Sequence, residues 1–91
     1  MQTIYQDSLT WLEIDADSLH IHHQGRYGKM SFTEIVNVTG RAGATFDVAN
    51  PQRIEEIIID SLSRPAAFVL TVPEDGDGMK ILQIINALRI I

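Results

Sequence analysis

The chain has 91 residues, a formal net charge of −5 and no cysteine, and 45% of its residues are hydrophobic. That length fits one domain with a modest core, and the hydrophobic share excludes whole-chain disorder. The acidic balance argues against nucleic acid or an anionic membrane as a partner reached by bulk electrostatics, and the missing thiols remove disulfide and thiolate chemistry. No basic-then-apolar leader opens the sequence and no apolar run reaches transmembrane length, so a soluble cytoplasmic protein is expected, with neither membrane nor nucleic acid as partner.

Met1 to Tyr5 reads as the start of an edge strand. Leu9 to Ile14 predicts a second strand, with Trp11 in the core or at its edge and a bulge where Trp11 and Leu12 blur the alternation. Asp15 to Ser18 is a turn by composition. Ser18 to Gln24 has the clearest two-residue period: Leu19, Ile21 and His23 share one face, and His20, His22 and Gln24 share the other. Gly25 to Gly28 turns the chain and Lys29 to Phe32 returns it, giving a hairpin with Leu19, Ile21, Met30 and Phe32 inward. Ser31 and Glu34 have the spacing of a helix capping box, but the β-branched Ile35, Val36, Val38 and Thr39 tip the reading toward extended structure. Gly40 to Gly43 reads as a turn or loop, and Ala44 to Val48 as a short strand.

The second half carries a helix start signal: Asn50 as cap, Pro51 in the first turn, and Glu55 and Glu56 near the positive end. Ile54, Ile57, Ile58, Ser61 and Leu62 then form one helical face, Ile59 lies off its centre, and Pro65 ends the element. Ala66 to Val72 is almost continuously apolar between prolines, which fits a central strand covered on both faces. An acidic, Gly-rich turn follows, in which Asp75 or Asp77 caps a closing helix. Ile81, Ile84, Ile85 and Leu88 give that helix its core face, while Met79, Leu82, Ile90 and Ile91 add apolar surface beyond it.

The fold expected is α+β: a single small domain with an antiparallel, β-rich N-terminal half, followed by helix–strand–helix packed on the sheet. Surplus apolar area on the last helix marks Met79, Leu82, Ile90 and Ile91 as a candidate oligomer interface. His20 and His22 share a strand face and offer two nitrogens to a metal, but no spacing supplies a third ligand, so they read as an ordinary solvated face. Arg26 and Tyr27 ride the hairpin tip and are expected to project together, and Arg41 lies in the Gly-bounded stretch that offers backbone amides to an anion. His20, His22, Arg26, Tyr27 and Arg41 therefore form the candidate ligand or partner surface. The acidic turn at Glu74 to Gly78 lacks the full ligand alternation of a calcium loop.

The stretch from Leu9 through Ser18–His23 resembles the opening strands of pleckstrin-homology-like modules. The stretch from Ile54 to Leu88 resembles the helix–strand–helix part of the ExbD/TolR periplasmic domains. No residue role follows from either. The sequence thus points to a small acidic protein–protein interaction or regulatory module acting as a homo-oligomer, with no cofactor, no metal and no catalytic residue assigned. A binding module for a small polar or anionic ligand is the alternative. A small enzyme built on a histidine–carboxylate pair comes third.

Overall fold

The computed structural model describes residues 1–42 and 53–89. Four antiparallel strands form the first sheet in the order β1 (Gln2–Gln6), β2 (Thr10–Ile14), β3 (Ser18–His23) and β4 (Arg26–Ser31). A second antiparallel sheet follows in the order β5 (Ile35–Ala42), β6 (Ile54–Ser61) and β7 (Phe68–Thr71), and one helix, α1 (Gly78–Leu88), packs on β5 and β6. The α+β class expected from the sequence is the class observed. No helix among the described residues is long and apolar enough to cross a membrane.

The hairpin forms where alternation placed it, with Leu19, Ile21 and Met30 fully buried and Phe32 nearly so. Its turn is tighter than the four-residue connection expected, because His23 already pairs with Arg26. Gln24 and Gly25 both take positive φ, 48° and 79°, which matches the twist of the flanking strands. Gly28 then lies inside β4, where a Cβ would stand 2.7 Å from the Phe68 ring; only a residue without one lets β7 approach so closely. The bulge falls in β1 rather than β2: Thr3 pairs with Glu13 and Tyr5 with Leu12, leaving Ile4 as the extra residue.

Both readings of the ambiguous stretch after Ser31 are partly realised. Ser31 and Glu34 form the capping box over a single 3-10 turn, Phe32–Glu34, and the β-branched residues then run as β5. Gly40, Arg41 and Ala42 belong to that strand and make no loop; the strand expected at Ala44 to Val48 lies outside the described residues.

The helix expected after Pro51 is corrected by β6. Ile57 and Ile59 are fully buried, Ile58 is half-buried on the opposite face, and Leu62 is 78% exposed. That is a two-residue period, not a helical one. Segment 66–72 is also corrected: among the described residues β7 is the edge of its sheet, not the centre. Its Phe68 and Leu70 face the core, and Thr71 is exposed. Its free edge is closed by side chains instead, since Arg26 donates to the Val69 carbonyl (2.9 Å) and the Thr71 amide donates to His23 Nε2 (3.1 Å).

Buried side chains from both sheets and from α1 form one hydrophobic cluster, in which Leu12, Ile21, Leu70, Ile81 and Ile85 are fully enclosed. Asp77 caps α1 through the Lys80 amide. Two further ties hold the loop before the helix to the first sheet: Asp75 accepts from the amide and hydroxyl of Ser8, and Tyr5 Oη accepts from the Asp77 amide while donating to Asp7. Burial, reinforced by the Asp7 hydrogen bond, pushes the Tyr5 phenol up to about 12. The ExbD/TolR resemblance requires a helix where β6 runs and is set aside.

Candidate functional site

Alternation decides which side chains of the first sheet face outward. In β2 the inward residues are Thr10 and Leu12, so Trp11 and Glu13 point away from the core. Antiparallel register then aligns Trp11, His22 and Tyr27 across three neighbouring strands, with Glu13, His20 and Lys29 as the adjacent row. The first row is a ladder of rings. Trp11 stacks on His22 at 4.7 Å between centroids, and His22 meets Tyr27 at 5.0 Å. Trp11 is 40% exposed and Tyr27 54%, which corrects the placement of Trp11 in the core or at its edge.

Hydrogen bonds hold these rings in place. Trp11 Nε1 donates to Thr3 Oγ1 (3.1 Å), and His22 Nε2 lies 3.1 Å from Glu13 Oε1. His20 is more tightly held: its Nε2 is 2.7 Å from Asp15 Oδ2 and its Nδ1 is 2.6 Å from the Tyr27 hydroxyl. Asp15 is fixed in turn, because its other oxygen accepts the amides of Asp17 and Ser18. The His20 bond, assisted by the Asp17 amide, holds the Asp15 carboxyl well below the usual carboxylate range. Asp15 is therefore an acceptor, so in the neutral tautomer of His20 the proton lies on Nε2 and Nδ1 is left to accept from Tyr27.

His20 is thus not the solvated residue expected; it is only 5% exposed and uses both ring nitrogens. Among the described residues no group of three or more histidines and carboxylates is placed to hold a metal ion. Of the residues singled out in the sequence, the fold brings His20, His22 and Tyr27 together. Arg26 does not project with Tyr27: it turns toward the second sheet, with its guanidinium over the Phe68 ring. Arg41 lies on β5, 3.8 Å from Glu56, so it joins neither group. The sequence reading missed Trp11 and Glu13 as partners of this face, and strict alternation through β2 was the signal that would have found both.

Beside the ladder lies an open cleft of about 400 Å³ between the β1–β2 turn and the hairpin turn, bordered by Trp11, His22, Arg26 and Tyr27. His23 forms part of its floor and is 1% exposed. His23 Nδ1 is 2.7 Å from Thr10 Oγ1, and Nε2 accepts the Thr71 amide, which requires a bare nitrogen and hence a neutral ring with its proton on Nδ1. Burial, assisted by the charge of Arg26, lowers the His23 pKa, while Asp7 pulls it the other way.

On the helix, Met79 is exposed and Leu82 is half-buried against the core; Ile90 and Ile91 lie outside the described residues. Comparison with protein-family models, with curated proteins and with solved structures gives no match.

Proposed function

We propose that the chain is a small, non-catalytic protein-interaction module whose recognition face is the outer surface of the four-stranded sheet. The observation that supports this reading is the exposed Trp11–His22–Tyr27 ladder beside the cleft. Aromatic side chains dominate interface energetics, and rings already immobilised by hydrogen bonds lose little entropy on binding.

Peptides selected from a random library against the intact chain are expected to converge on this face. Trp11→Ala and Tyr27→Ala should each weaken the selected peptides by about tenfold or more, the size expected at an interface hot spot. Peptides that keep full affinity for both variants would contradict the reading.

Self-association is the second part of the proposal. Val36 and Leu62 are exposed near the C-terminal end of α1, where Arg89 donates to the Val36 carbonyl and the Leu62 amide donates to the Glu34 carbonyl. These two side chains leave apolar surface for a second copy. Light scattering on the same preparations is expected to give a mass above the monomer's, and Leu62→Glu should lower it. A monomer throughout a concentration series would remove this part and leave the aromatic face untouched.

A further inference from the structure

The hydrogen-bond chain from Asp15 through His20 to Tyr27 has a consequence separate from binding. With His20 in its neutral, Nε2-protonated form the Tyr27 O–H points at Nδ1 while a carboxylate holds the far nitrogen, which is the arrangement of an activated nucleophile: attacking group, base, and a third group that orients the base. All three requirements are met within one hairpin and its preceding turn. The base contact is 2.6 Å, the orienting contact is 2.7 Å, and the phenol is 54% exposed while its base is 5% exposed. Tyr5, bonded to a carboxylate and buried, offers the opposite environment in the same chain.

We infer that Tyr27 is a site of covalent modification, taking an electrophilic acyl, sulfonyl or phosphoryl group on its phenolic oxygen with His20 as general base. As Oη bonds to the electrophilic centre, its proton passes to His20 Nδ1, and the bond to the leaving group breaks with the electron pair departing on that group. Asp15 stabilises the resulting imidazolium through Nε2, and His20 then returns its extra proton to solvent. The adjoining cleft, bordered by Trp11, His22 and Arg26, gives the rest of the donor a place to sit. No oxidant or cofactor enters this balance. The inference stands whether or not the aromatic face binds a protein.

Phenylmethanesulfonyl fluoride is a suitable probe: the Tyr27 oxygen displaces fluoride and leaves a stable sulfonate ester. On the intact chain, peptide mapping by mass spectrometry is expected to find the adduct on Tyr27. Its rate should exceed that of free N-acetyltyrosinamide by about a hundredfold, the lower end of what a positioned general base contributes. His20→Gln should return the rate to that of the free amino acid, and Asp15→Asn should give an intermediate rate. His20→Ala should regain labelling when imidazole is added, a recovery that a purely structural role for His20 would not produce. Tyr27→Phe, which leaves the ring in the ladder, should abolish the adduct and keeps the test valid if a histidine variant folds poorly. Labelling of Tyr27 at the free-tyrosine rate, or undiminished labelling in His20→Gln, would overturn the inference.

Discussion

Replacing Ile59 by alanine is expected to destabilise the protein by about 2–5 kcal/mol, the range for truncating a fully buried aliphatic side chain. Ile59 is 0% exposed and lies on β6, which both β5 and β7 flank. The comparison with its neighbour makes the experiment decisive. Ile58 is half-buried on the other face of the strand, so Ile58→Ala should cost clearly less. A helix through the same residues reverses the order, since its buried face would hold Ile54, Ile57, Ile58 and Ser61 and leave Ile59 at the margin. Urea unfolding of the two variants, read as midpoint shifts at constant slope, distinguishes the alternatives. A larger loss for Ile58→Ala would contradict β6.

The second large effect belongs to His23. Its ring joins the two sheets by standing between Thr10 of β2 and the free edge of β7. His23→Ala leaves the Thr71 amide without its acceptor, which costs about 1–3 kcal/mol, with lost packing in addition. The wild-type protein should feel the same contact through pH. Folding lowers the His23 pKa below its ordinary 6.5, so the unfolded chain binds the proton more readily. Stability contributed by neutral His23 is therefore complete above about pH 6.5 and falls as pH drops below it, until the folded form is protonated too. The same protonation turns Nε2 into a donor facing the Thr71 donor, beside Arg26. Unfolding midpoints measured between pH 8 and pH 5 should fall with acid in the wild type and fall less in His23→Ala. Equal slopes would show that the ring does not carry this dependence.

The hairpin was legible because its signal is local: Leu19, Ile21, Met30 and Phe32 alternate with polar residues, and no other element competes for them. A cap for α1 at Asp75 or Asp77, and the helix's core face, were legible for the same reason; the structure selects Asp77. Segment 54–61 was not. Its isoleucines satisfy a helical period through Ile54, Ile57 and Ile58 and a strand period through Ile57 and Ile59, and the Asn50–Pro51 pair tips a local reading to helix. Pairing with β5 on one side and β7 on the other favours the strand, an advantage no window of that segment contains.

The candidate site was half legible. His20, His22 and Tyr27 were singled out, yet their meaning depends on register. Only the pairing of β2 with β3 sets Trp11 against His22, and only the Asp15 turn brings a carboxylate to His20. Arg26 was placed with Tyr27 by adjacency in sequence, but neighbours on a strand point to opposite faces, and its guanidinium went to Phe68 and the β7 edge.

Strand β3 carries two buried histidines held in opposite tautomers, and imidazole nitrogen chemical shifts read those tautomers out. In long-range proton–nitrogen NMR spectra at mildly alkaline pH, His20 should show its proton on Nε2 and a bare Nδ1. His23 should show the reverse. Fast-averaging tautomers at both rings would mean that neither the Asp15–His20–Tyr27 chain nor the His23 contact between the sheets persists in solution.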